Sequence, residues 1–256
     1  MYDGGYVLCE DVNAILPPGY YTPGYEMTPT LVPHTVKTDE LFKPPGSSCK
    51  LVLDEMNEFW ANEDRYREHG LLWKRGILLF GPPGSGKTCV VELVCDKLIE
   101  DGGVAIVGNR GMSDLQEALE MIRQAEPERR IVVVLEDLDR LADRHESDLL
   151  SVLDGEKQID NVVFLATTNY LDKLPDTIVK RPSRFDLVHE VPMPGVRTRR
   201  WYLQKKLGRK VKKTELEKVA KKSDGFSFAH LKEVCVRILV FNRSADKALA
   251  SVREMV

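Results

Sequence analysis

Residues 81–88 read Gly-Pro-Pro-Gly-Ser-Gly-Lys-Thr and follow directly on the apolar run Ile77-Leu78-Leu79-Phe80. Few short sequences constrain a fold more. The glycines let successive backbone N–H groups turn inward around an anion, and a helix starting at Lys87-Thr88 adds the partial positive charge of its N-terminus. Val90, Val91, Leu93 and Val94 give that helix its apolar side. Strand, glycine-rich turn and helix in this order make a phosphate-binding loop, so the expected ligand is a nucleoside triphosphate. The candidate binding residues are Gly81, Pro82, Pro83, Gly84, Ser85, Gly86, Lys87, Thr88 and Cys89. Lys87 can reach the β- and γ-phosphates, and the Thr88 hydroxyl is placed to ligate Mg²⁺.

Around the loop, apolar runs alternate with helical periods. A helix is expected from Leu51, with Val52, Met56, Phe59 and Trp60 on one side and Gly70 past its end. Val104–Val107 reads as a second strand. Ser113–Ala125 reads as a helix whose Ser113 and Gln116 fit a capping box, with Leu115, Ala118, Leu119 and Ile122 at helical spacing. Ile131–Leu135 and Val162–Ala166 are continuous apolar runs, as expected of strands covered on both faces. Such alternation predicts an α/β fold: a three-layer αβα P-loop domain with a parallel central sheet. From about Val196 the pattern is purely helical, which predicts a small helical lid subdomain. The expected division is an N-terminal extension over 1–48, rich in Pro, Gly and Tyr, the nucleotide-binding domain over 49–195 and the lid over 196–256. No sustained period runs through 1–48, so turns and short strands are expected there, either loosely ordered or docked on a neighbouring subunit or partner.

A net charge of −3 gives no global field that would favour nucleic acid or membrane. Its distribution is uneven. Residues 1–60 carry nine acids against three bases, and 197–222 carry twelve bases against two acids. The basic stretch fits a solvated helix face, or a contact with an acidic partner, a neighbouring subunit or a polynucleotide. Five scattered cysteines without a Cys-x-x-Cys pair read as small core residues in a reducing compartment. With no signal peptide and no apolar run near ~18 residues, a soluble cytoplasmic protein without a membrane anchor is expected.

The candidate chemistry lies at strand ends. The third strand runs into Glu136-Asp137-Leu138-Asp139, and acids at the carboxyl end of a central parallel strand face the ligand crevice. One acid there, Glu136, would hold Mg²⁺, and the next, Asp137, would polarise the attacking water. The neighbouring strand leads through Thr167-Thr168 to Asn169, whose amide can orient that water. Downstream, Arg181 and Arg184 lie three residues apart beside Pro182 and suit the charge on a γ-phosphate.

Taken in order, Gly81–Thr88, Glu136/Asp137, Asn169 and Arg181/Arg184 resemble an AAA+ ATPase of the AAA subgroup with its second region of homology. Gly225-Phe226-Ser227-Phe228-Ala229-His230-Leu231 is similar to the lid segment of that subgroup, and the resemblance covers roughly 50–240. It implies ATP and Mg²⁺ at subunit boundaries of a homo-oligomeric ring, usually a hexamer or heptamer, with Arg181 and Arg184 serving the neighbour's site. Three departures stand out. The usual Asp-Glu order is reversed to Glu136-Asp137, which leaves the water-polarising acid one methylene shorter. Phe228 and His230 stand where glycine and an acid are common. Only Gly108-Asn109-Arg110-Gly111-Met112 separate the second strand from the next helix, where ring unfoldases usually carry an extra helix and an aromatic pore loop.

The short connection, the Leu-Glu-Asp-Leu-Asp motif, Leu149–Gly155 and Ala166–Asn169 resemble the ATPase domain of the mitochondrial Rieske-protein translocase family. The expected function is an ATP-hydrolysing ring that remodels a protein or protein assembly without an aromatic pore loop. Two alternatives stay open: a nucleotide-gated nucleic-acid module resembling a helicase loader, and a slow ATPase that uses ATP to hold a ring together.

Overall fold

A computed structural model describes residues 6–7, 15–26, 28–36, 41–108, 112–154, 159–208 and 210–255. In chain order the elements are β1 (Tyr6–Val7), β2 (Gly19–Glu26), β3 (Thr28–Pro33), α1 (Cys49–Ala61), α2 (Glu63–Glu68), β4 (Lys74–Phe80), α3 (Lys87–Glu100), β5 (Val104–Val107) and α4 (Met112–Ala125). They continue with β6 (Ile131–Leu135), α5 (Leu138–Asp154), β7 (Val162–Thr168), α6 (Asp176–Val179), β8 (Leu187–Glu190), α7 (Val196–Leu207), α8 (Lys213–Lys222), α9 (Phe228–Leu239) and α10 (Ala245–Arg253).

All strands join one sheet in the order β1-β3-β2-β5-β6-β7-β4-β8. From β2 to β8 every neighbouring pair is parallel. The continuous apolar runs have the reason expected of them: successive residues go to opposite, equally covered faces. In β6, Ile131, Val133 and Leu135 meet α4 and α5, while Val132 and Val134 meet α1 and α3. β7 divides alike, with Phe164 on the first face and Leu165 on the second. These are the three αβα layers. A separate core of Leu203, Leu216, Phe226, Leu231, Val234 and Leu249 builds the helical lid.

The N-terminal stretch is better organised than its composition suggests. β2 and β3 form an antiparallel hairpin, and β2 continues the sheet beyond β5, pairing Tyr20 with Ala105 and Tyr21 with Ile106. Side-chain contacts hold a strand rich in glycine and proline in place. Tyr21 and Leu31 are buried in the face that carries α4 and α5. Tyr20 goes to the other face and donates its hydroxyl to Asp96 Oδ1 at 3.0 Å on α3.

α4 begins at Met112, so Ser113 lies inside the first turn instead of capping it, its hydroxyl 3.4 Å from Asp114 Oδ1. The preceding positions 109–111, where a pore loop would be sought, lie outside the described residues. Among the described residues, no helix is long and apolar enough to cross a membrane.

Candidate active site

β4, β6 and β7 lie side by side and end at the same edge, so the phosphate loop, Glu136-Asp137 and Asn169 converge without any long connection. Gly84 (φ +74°) and Gly86 (φ +104°) occupy backbone regions that side chains disfavour, which is why the loop needs glycine there. Lys87 is buried, and its Nζ donates to Gly81 O at 2.8 Å, Pro82 O at 3.1 Å and Asn169 Oδ1 at 2.7 Å. Burial lowers its pKa, against the pull of Asp137 and Asp139. Asn169 in turn donates from Nδ2 to Asp137 Oδ1 at 3.3 Å. One amide thus bridges the cation and the acid.

Asp137 holds a left-handed backbone (φ +50°), and its N–H donates to Thr167 Oγ1 at 3.3 Å. That turn presents its carboxylate to the cleft, where Glu136, Thr88 and Asn169 also lie. Asp139 accepts from Thr168 Oγ1 at 2.7 Å and braces the strand end. Thr88 is exposed to the cleft. Its hydroxyl and the Glu136 carboxylate are hard oxygen donors of the kind Mg²⁺ takes. Among the described residues Ser85 Oγ, buried in the loop, has no hydrogen-bond partner, as expected where a polar ligand completes the cradle.

Beside this phosphate end lies a cavity of about 380 Å³. Phe42, Cys89, Leu93, Met193 and Tyr202 form an apolar wall, and Gly86, Thr88 and Phe228 line both spaces. A nucleotide with phosphates on the loop would extend its nucleoside into this cavity.

Residues 77–193 match the sequence profile of the ATPase family associated with various cellular activities (AAA). That profile contains every motif residue that converges here. Residues 77–193 are an AAA ATPase domain. ATP hydrolysis is the chemistry of such a domain. Proteasome-activating nucleotidases are similar to this chain: that of Aeropyrum pernix is 32% identical over 199 residues, 68% of this chain and 47% of its own length. The Saccharolobus islandicus protein is 32% identical over 248 residues (82% and 61%), and that of Sulfurisphaera tokodaii 31% over 240 (78% and 58%). The chain therefore spans about half to three-fifths of the curated relatives it matches.

Within the AAA domain the two arginines part company. Arg184 is buried, donates from Nε to Asp154 Oδ2 at 2.6 Å and also bonds Thr177 O. Lys74 lies 3.7 Å from the same carboxylate. Arg181 stands 3.6 Å from Asp154 but is largely exposed. Neither arginine lines the phosphate cleft.

His230 takes the place of the usual acid as a capping partner: Ser227 N–H donates to its Nδ1 at 3.1 Å, and Ser227 Oγ accepts from His230 N–H at 3.2 Å. Phe228 N–H donates to Gly84 O at 3.0 Å, which docks the lid on the phosphate loop. The basic stretch also changes meaning. Arg199 is buried and bonded to Ala220 O, Pro194 O and Asp224, while Lys205 lies over the rings of Phe42 and Trp201. Sequence reasoning missed Phe42 and the strap over 41–48, Asp154 and Glu92. Only Pro44-Pro45-Gly46 signalled a turn there, and nothing local marked it as a cavity wall.

Proposed function

We propose that this chain is an ATP-hydrolysing AAA+ ring protein, a hexamer or heptamer, that remodels a protein or protein assembly. The observation that carries the reading is the continuous Lys87–Asn169–Asp137 connection, set beside Thr88 and Glu136. Lys87 neutralises the β- and γ-phosphates. Thr88 and Glu136 would hold Mg²⁺, which when bound spreads the charge of the transferring phosphoryl group. Asp137 accepts a proton from the water that attacks the γ-phosphorus, and Asn169 orients that water. ADP and inorganic phosphate leave. Arg181, exposed on its loop, completes the site of an adjacent copy, while Arg184 holds the loop in shape.

A protein client agrees with the relatives' name, proteasome-activating nucleotidase. The short connection after β5 and the Rieske-translocase-like motifs favour remodelling without an aromatic pore loop. Nucleic acid is the weaker reading, because Arg199 and Lys205 of the basic stretch are engaged within the lid.

The deciding experiment mixes Lys87→Ala and Arg181→Ala chains, each inactive alone. Each defect lies in a different half of a shared site, so mixing should restore part of the turnover. Turnover per chain that stays constant on dilution to monomers would remove the shared site.

A further inference from the structure

The nucleoside cavity contains a carboxyl that this chemistry does not use. Glu92 lies on α3 one turn beyond Thr88, is 7% exposed, and lines the cavity with Phe42, Cys89, Leu93 and Tyr202. It does not line the phosphate end. Its backbone carbonyl accepts from the Tyr20 hydroxyl at 3.1 Å, but among the described residues its carboxyl has no hydrogen-bond partner. Lining the cavity without a protein partner among those residues, the carboxyl is open to a ligand group that donates a hydrogen bond. Nearby acids make it a poor structural ion. Burial, with Glu136 on the sheet edge and Asp96 further along α3, pushes its carboxyl up to about 7.

Ligand chemistry follows from position. Phosphates on Lys87 and the loop leave the base to enter the apolar cavity, where Glu92 is a hydrogen-bonding side chain buried in the wall. We propose that Glu92 reads the edge of the base, accepting a hydrogen bond from the exocyclic 6-amino group of adenine and so selecting ATP. Apolar walls hold any purine ring by burial alone and discriminate weakly between purines. A buried acceptor adds discrimination, because a base without the amino group leaves it unpaired.

This assignment rests on the cleft being an ATP site, and one titration separates the two ideas. The full chain is titrated with ATP, purine riboside triphosphate (which lacks the 6-amino group) and 2′-deoxy-ATP. The expected result is about ten- to a hundredfold weaker binding of the purine analogue, with 2′-deoxy-ATP close to ATP. Equal binding of ATP and the analogue by the wild type overturns the role of Glu92 and leaves the ATP site standing. No binding of either overturns the ATP site itself.

In Glu92→Leu and Glu92→Met the preference should vanish, with affinity for the analogue unchanged. Glu92→Gln, which keeps an acceptor, should retain the preference. If one apolar variant binds neither ligand, the other decides. A preference that survives in a variant that binds, or a change in discrimination against 2′-deoxy-ATP instead, overturns the proposal.

Discussion

Arg184 Nε lies 2.6 Å from Asp154 Oδ2, a buried ion pair that joins the end of α5 to the loop carrying Arg181. Its second bond, to Thr177 O, closes the same loop against α6. Removing one partner of such a pair strands a buried charge, which typically costs about 3–5 kcal/mol. Arg184→Ala and Asp154→Ala are therefore expected to lower the melting temperature strongly. Arg181→Ala, at an exposed position, should leave it within about 0.5 kcal/mol of wild type. Thermal unfolding of the three variants checks the division, and equal losses would abolish it.

Turnover provides the complementary test. Arg181→Ala should keep ATP affinity and lose hydrolysis, because in the proposed ring its guanidinium would act on a neighbour's nucleotide. Calorimetric titration beside a phosphate-release assay measures the two separately.

Lys87→Ala removes the charge that meets the phosphates and the bond to Asn169 Oδ1. ATP binding should be lost. Affinity that remains micromolar in a titration would place the triphosphate elsewhere.

Much of the layered fold could be read from the chain because its signals are local. The apolar runs of β5 and β6 and the glycine pattern at 81–88 depend on nothing distant. Glu136, Asp137 and Asn169 were legible for a related reason, since each follows a strand whose end must face the crevice. The hairpin β2–β3 was not legible, because its register comes from β5 and its anchorage from Asp96. The pairing of Arg184 was hidden for a similar reason. Sequence spacing puts it beside Arg181, but only the return of α5 brings Asp154 within reach. Glu92 reads as one more polar residue on a helix until the strap over 41–48 encloses it.

Asp137→Asn keeps the size of the side chain and removes its basicity. Positioned proton acceptors contribute about 10²–10⁴-fold to rate, so turnover should fall at least a hundredfold while ATP still binds. The Asn169 contact should survive, since an amide oxygen still accepts from Nδ2. A rate near wild type in the phosphate-release assay would remove Asp137 from the role of base.

Glu92 also gives stability a defined pH dependence in the absence of nucleotide. Its folded pKa is about 7, raised first by burial and then by Glu136 and Asp96 from an ordinary value of 4.5. Between these values the folded chain holds more protons than the unfolded chain, so stability falls as pH rises through the window. The contribution is complete below about 4.5 and is lost by about pH 8, where the carboxyl must be buried ionised. Glu92→Gln stays neutral throughout and so escapes the loss. It should unfold at nearly the wild-type temperature at pH 5 and at a clearly higher temperature than wild type at pH 8. Melting curves of both proteins without nucleotide, over pH 5 to 8 in one buffer series, measure the difference. A gap that stays constant across the series would mean that the carboxyl titrates at its ordinary value.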